Sequence, residues 1–310
     1  MHGRRKVKTT EDKMREKKEA DKIRAAKYSK LVGAAFELKS QGAMTEEALK
    51  MAGQVLAVNA DCYTFWNYRR EIIQHMMKDK TKEELSVLTK SELTWLESTL
   101  AQWPKSYWVW FHRKWISQFC EMDWVRELDL CLKLHKADSR NFHCWNYRRF
   151  CVEQAKVSPQ SELAMAIGLI EDNFSNYSAW HHRSIFLPKA FSKASDIGAF
   201  HAQILDEFEK VKAAFYTEPE DQSAWFYHRW LVGVMKEKSP ENYENILQEE
   251  LRTCEELLSV EEDCKWAMLT MVFLMIELKK EGALPLLEKL KKVDSKRLGF
   301  YEDLAKKLAT

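Results

Sequence analysis

The chain has 310 residues, 45% of them apolar, and 49 Lys and Arg against 47 Asp and Glu leave a formal net charge of +2. No apolar run approaches the roughly 18 residues a membrane-spanning helix needs, and no signal-peptide pattern accompanies the basic start. The seven cysteines form no Cys-x-x-Cys pair, and with nine scattered histidines they predict reduced thiols in the cytoplasm and no metal site within the chain.

Residues 1–43 read as a basic N-terminal segment and a lead-in helix. Arg4 to Lys30 holds twelve basic and five acidic residues, so the rest of the chain is mildly acidic. Apolar anchors (Ile23, Tyr28, Leu31) appear only near its end, which predicts a solvated or partner-bound helix rather than a nucleic-acid or membrane patch.

From residue 44 to 310 the chain is predicted to form one helical-repeat domain. Trp66, Trp110, Trp145, Trp180 and Trp225 recur 44, 35, 35 and 45 residues apart, each followed by an arginine: Arg69, Arg113, Arg148, Arg183 and Arg229. A period of that size marks stacked helical hairpins, each unable to bury its apolar face alone. An aromatic precedes four of the tryptophans by three residues (Tyr63, Tyr107, Phe142, Tyr177), with Gln222 in the fifth. One place earlier stand Cys62, Ser106, Asn141, Asn176 and Asp221, four of them good N-cap residues. The spacing predicts a helix starting at each aromatic, with aromatic and tryptophan buried on one face. The tryptophans are expected in the core and the arginines as bridges to the neighbouring hairpin.

The other arm of each hairpin is predicted over 81–102, 123–137, 159–172, 200–215 and 240–259, where apolar spacing is helical and nothing alternates with period two. A Pro, Ser and Lys-rich stretch over 187–199 reads as a surface loop. Glu261 to Trp266 resembles a sixth start without the arginine, and two short helices, 284–292 and 296–308, close the chain. The fold class is therefore all-α, a solenoid of stacked αα-hairpins.

Chemistry is sparse: no phosphate loop, nucleophile elbow or catalytic triad is present. The residue before each cap is Asp61, Lys105, Arg140, Ser175 or Glu220, so only the second and third repeats put a cation beside a helix N-terminus, whose free amides already favour anions. Lys105 and Arg140 are candidates to embrace a phosphate or diphosphate, with His143 as a further donor.

The segments Lys105-Ser-Tyr-Trp-Val-Trp-Phe-His-Arg113, 141–149, 173–183 and 221–230 resemble the repeats of protein prenyltransferase α subunits over nearly the whole chain. With the opening Met1-His-Gly-Arg-Arg-Lys-Val-Lys-Thr9, they resemble most the Rab geranylgeranyltransferase (type II) branch. The resemblance implies a right-handed superhelical crescent wrapped around a β subunit that holds the catalytic zinc and the lipid pocket. It implies an obligate heterodimer that transfers geranylgeranyl from geranylgeranyl diphosphate to C-terminal cysteines of Rab GTPases presented by Rab escort protein.

Carried over by motif, Lys105 is expected to reach the departing diphosphate, with Tyr107, Asn141, Phe142 and His143 lining the cleft. Phe142 stands where farnesyltransferase usually has tyrosine. Trp108 stands where CaaX-directed enzymes have the glutamine that holds a peptide C-terminus, which argues against strict CaaX capture. Near the active-site mouth, His2 is expected as a transient ligand of the β-subunit zinc. Two alternatives stay open: the α subunit shared by farnesyltransferase and geranylgeranyltransferase type I, and a peptide-binding scaffold of the tetratricopeptide type. The 34-residue period of the latter fits these repeats poorly.

Overall fold

The computed structural model describes residues 10–191, 197–238 and 240–309, and among them there are α-helices, short 3-10 turns and no strand. A lead-in helix α1 (Glu11–Ser40) is followed by five hairpins: α2 (Glu46–Val58) with α3 (Tyr63–Met77), α4 (Lys82–Gln102) with α5 (Tyr107–Ile116), α6 (Trp124–Ala137) with α7 (Phe142–Ala155), α8 (Pro159–Asp172) with α9 (Tyr177–Ala190), and α10 (Ile197–Thr217) with α11 (Gln222–Lys238). Then come α12 (Tyr243–Val260), α13 (Lys265–Glu277), α14 (Ala283–Val293) and α15 (Leu298–Ala309). The backbone forms two compact units, one running up to His135 with Asn141–Val152, the other comprising Lys136–Arg140 and everything from Glu153 on. The repeat spacing alone does not mark this division.

In the first unit, residues 11–27 of α1 are solvated, Ile23 included, and the helix is anchored where Tyr28, Leu31, Val32, the buried Ala35 and Leu38 join the core. In the second unit, α9 continues through Pro188 to Ala190 and α10 begins at Ile197, so both ends of the stretch 187–199 expected as a loop are helix; residues 192–196 of that stretch lie outside the described residues. Pro188 has no amide to donate to the carbonyl four residues earlier, and α9 ends two residues beyond it.

The tryptophan helices begin at the predicted aromatics, but the capping differs from repeat to repeat. Asn141, Asn176 and Asp221 accept amide protons of the first turn, at 3.1 Å from His143 N, 3.2 Å from Ala179 N and 2.8 Å from Ser223 N. Ser106 does not cap α5: its hydroxyl points away, donating to Asp61 Oδ1 at 2.7 Å. Aromatic and tryptophan also part company, contrary to expectation. All five tryptophans are buried, whereas Tyr63, Tyr107, Phe142 and Tyr177 are 50 to 66% exposed.

Four of the tryptophans also close their own hairpins. The indole N–H of Trp66, Trp110, Trp180 and Trp225 donates to the carbonyl six residues upstream, at 2.8 to 2.9 Å, satisfying a connection that would otherwise be buried unpaired. Burial of each ring removes about 150–250 Å² from water, roughly 4–6 kcal/mol before entropy is counted.

The arginines bridge carbonyls and carboxylates as expected, and the structure identifies the glutamates they grip. Arg113 donates to Glu127 through Nε at 2.8 Å and Nη2 at 2.6 Å, and to the Leu93 carbonyl at 3.0 Å. Arg69 does the same to Glu92 and Leu49, and Arg183 to Glu207 and Leu163. Arg148 reaches the Leu128 carbonyl at 3.3 Å. The carboxylate is held from its own hairpin as well: His112 meets Glu92, Tyr147 Glu127, His182 Glu162 and Tyr227 Glu207, each at 2.8 Å and each across 20 residues. Glu92, Glu127 and Glu207 are thus each buried carboxylates shared between their own hairpin and the arginine of the one before, while Glu162 is held by His182 of its own hairpin.

The fifth and sixth starts break the rule in register. In α11 the arginine position is taken by His228, which meets Glu250 at 2.8 Å, while Arg229 lies one residue further on with its guanidinium 3.6 Å above the Phe273 ring. Arg229 is therefore not equivalent to the other four. In α13, Trp266 is the second residue rather than the fourth, and Met268 fills the buried place; the Trp266 indole donates to the Glu220 carbonyl of the preceding repeat at 3.1 Å. This helix has no repeat arginine and no gripped carboxylate downstream, as suits a stack nearing its end.

Candidate functional site

The expected site residues of the second and third repeats meet where α5 and α7 begin, in the first unit. Asn141, buried, ties the two connections: its Nδ2 donates to the Pro104 carbonyl at 2.8 Å while its Oδ1 accepts from the amides of His143 and Cys144. Pro104's carbonyl is the one that also receives the Trp110 indole. One asparagine thereby fixes the α7 start against the turn carrying Lys105.

Above this joint lies an aromatic group. The Tyr107 ring meets His143 edge-on with centroids 4.3 Å apart and Phe142 at 6.0 Å, and Phe142 leans on His143 at 4.0 Å. Tyr107 and Phe142 stay exposed, whereas His143 is 7% exposed. Trp108, half-buried, packs against Tyr63 at 5.0 Å and Phe111 at 6.4 Å. Lys105 is exposed at the rim.

Charge at this edge is mixed. Burial pushes the His143 imidazole below its ordinary pKa; the Asp61 carboxylate pulls it up and the Lys105 ammonium pushes it down again. His143 is therefore neutral at neutral pH, and its ring can donate one hydrogen bond to an anion without carrying a second positive charge. Asp61 was missed as a site residue because it precedes the first repeat's cap, 44 residues before Lys105; only the stacking of hairpins brings it to Ser106.

Arg140 falls in the second unit. Its amide donates to Asp138 Oδ1 at 3.1 Å, and its charge acts on Asp221. Burial pushes the Asp221 carboxyl up, but hydrogen bonds from Ser223 and Ser175 and the Arg140 charge hold it below its ordinary value. The structure brings Lys105, Tyr107, Phe142 and His143 together, with Asn141 beneath and Trp108 alongside. His2 lies outside the described residues. Among the described residues no group of three or more His, Cys, Asp and Glu is placed to hold a metal, and no helix is long and apolar enough to cross a membrane.

Five segments, residues 45–76, 89–120, 124–155, 159–190 and 204–235, match the protein prenyltransferase alpha subunit repeat, and each contains one hairpin's gripped pair of arms. The geranylgeranyl transferase type-2 subunit alpha of Dictyostelium discoideum is 40% identical over 99% of this chain and 100% of its own length. The rat protein of the same name is 46% identical over 75% of this chain, which spans only 42% of the rat protein. A solved structure of Candida albicans protein geranylgeranyltransferase-I complexed with GGPP superposes with a TM-score of 0.73 over 91% of each chain; at 24% identity this is a likeness of fold. From its five matched repeats and its relatives, the chain belongs to the protein prenyltransferase alpha subunit family.

Proposed function

We propose that this chain is the α subunit of a type II, Rab-directed geranylgeranyltransferase, working as a heterodimer with a β subunit that holds the zinc and the lipid. The observation that carries this reading is the 40% identity to the Dictyostelium type-2 α subunit along both chains. The edge at the start of α5 and α7 fits the chemistry. As the carbon–oxygen bond of geranylgeranyl diphosphate breaks, negative charge grows on the departing diphosphate, and a cation fixed beside a helix N-terminus stabilises that growing charge more than the ground state. Lys105 supplies the cation, and neutral His143 and the Tyr107 hydroxyl supply donors. Phe142 contributes surface but no hydroxyl.

The exposed Tyr107, Phe111 and Phe142 on these helices would be covered by the β subunit, since rows of exposed aromatics mark interfaces. Trp108 fills its position with a ring packed on Tyr63 and Phe111, leaving no amide to hold a peptide C-terminus. That favours a substrate positioned by Rab escort protein over a CaaX peptide held by its own end. His2 would act as a removable ligand of the β-subunit zinc, and the heterodimer would work in the cytoplasm.

The test is co-expression with Rab-type and with CaaX-type β subunits, each supplied with escorted Rab or a CaaX peptide. Transfer to escorted Rab alone supports the proposal. Transfer to the CaaX peptide would assign the chain to the shared α-subunit class, and absence of a complex with either β subunit would favour a scaffold.

A further inference from the structure

Asp61 sits at the end of the connection between α2 and α3, a full repeat away from Lys105 in sequence. Its carboxylate is nevertheless held on the same edge. Ser106, the residue next to Lys105 and itself buried, donates its hydroxyl to Asp61 Oδ1 at 2.7 Å and shares it with the Ala60 carbonyl at 3.2 Å. The Asp61 amide is pinned in turn by Asn59 Oδ1 at 3.1 Å. The serine that would ordinarily cap α5 has been diverted to hold this anion. The field of the carboxylate reaches across to His143, where it opposes that of Lys105.

An edge built to receive a leaving diphosphate gains nothing from a fixed negative charge, which weakens the attraction of Lys105 for every anion. The cost is unequal, however. A diphosphate carries two or three charges and several acceptor oxygens, so it outcompetes one carboxylate for a cation and its neighbouring donors; a peptide's single terminal carboxylate does not. We propose that Asp61, held by Ser106, is a specificity-determining anion of this edge. It excludes the C-terminal carboxylate of the protein substrate from Lys105 and keeps that cation for the diphosphate. The inference rests on the subunit assignment above and extends it to the substrate: a cysteine-bearing tail whose terminus is turned away from the Lys105 edge rather than captured there. The half-buried Trp108 beside Tyr63 closes the same side sterically.

The test uses the heterodimer with its Rab-type β subunit, transferring geranylgeranyl to escorted Rab, with short cysteine-containing tail peptides as competitors ending either in a free carboxylate or in an amide. For the wild type, the two peptides are expected to inhibit equally within about twofold. In Asp61→Asn, which keeps an acceptor for the Ser106 hydroxyl, the carboxylate peptide is expected to inhibit roughly tenfold more tightly than the amide, the size of one charge–charge contact at a solvated edge. Asp61→Glu is expected to restore equal inhibition, which a purely structural role would not require. An unchanged ratio in Asp61→Asn, with wild-type transfer intact, overturns the role of Asp61 and leaves the subunit assignment standing. A wild-type heterodimer that forms but modifies no escorted Rab overturns both.

Discussion

Arg113 closes on Glu127 with two parallel hydrogen bonds, joining the second hairpin to the first arm of the third, and Tyr147 reaches the same carboxylate from the other side at 2.8 Å. Both charges are almost wholly removed from water. A buried pair of this kind contributes little net stability against an apolar replacement, but breaking it strands the survivor. Arg113→Met is expected to cost about 3–5 kcal/mol, and adding Glu127→Gln should recover a substantial part. Urea unfolding of the two variants checks this; equal losses in single and double variants would mean that the guanidinium acts by packing alone.

The first such carboxylate makes stability depend on pH. Burial pushes the Glu92 carboxyl up, but Arg69 and His112 outweigh it and hold it at about 2 against an ordinary 4.5. Below 4.5 the unfolded chain takes up a proton that the folded chain refuses until about 2, so stability falls as pH drops through that window, by about 3 kcal/mol in total. Burial also depresses His112, despite the pull of Glu92, so the unfolded imidazole protonates below 6.5 while the folded one stays neutral. Both groups therefore act with the same sign. Scanning calorimetry from pH 7.5 to 2.5 should show Tm falling, with a shallower fall below pH 4.5 in Glu92→Gln.

His228 and Arg229 offer a test of register. His228 is buried on Glu250, whereas Arg229 is exposed over Phe273, with its guanidinium pKa lowered by partial desolvation. Removing the histidine strands a carboxylate, at about 1–3 kcal/mol; removing the arginine gives up a cation–π contact worth about 0.5–1 kcal/mol. His228→Ala should thus lower Tm more than Arg229→Ala. The reverse order would restore Arg229 as the fifth repeat arginine.

Lys105 is exposed at the edge, so its loss should spare the fold. In the heterodimer, Lys105→Ala is expected to lower kcat roughly 10²–10³-fold, as removal of one preorganised stabiliser of developing charge does, with little change in the KM for escorted Rab. A drop confined to KM would assign Lys105 to substrate binding instead.

Much of this was legible without coordinates. The tryptophan period fixed hairpins as the unit, and each tryptophan helix starts three residues before its tryptophan, at an aromatic in four repeats and at Gln222 in the fifth, because helical apolar spacing is a local property. A second signal was present but unread: Glu92, Glu127, Glu162 and Glu207 each stand 18 residues before the tryptophan of their own hairpin and are followed by the Leu, or in one case Phe, of its first arm. The interval within a hairpin is constant, because two packed arms and a tight turn leave no slack. The interval from one hairpin to the next varies, because those connections lie outside the packed pair. A search forward from each tryptophan therefore finds the arginine and misses its carboxylate.

The sequence by itself determined the helices, their pairing into repeats and the tryptophans that fill the core. Only the tertiary structure decided which hairpin each arginine grips, that His228 replaces Arg229 in that role, and that Ser106 abandons its cap to hold Asp61. Those contacts join residues 14 to 45 positions apart, and no local propensity encodes them. They exist because stacking brings equivalent ends of neighbouring hairpins together, and a buried charge there must find its partner wherever the stack supplies one.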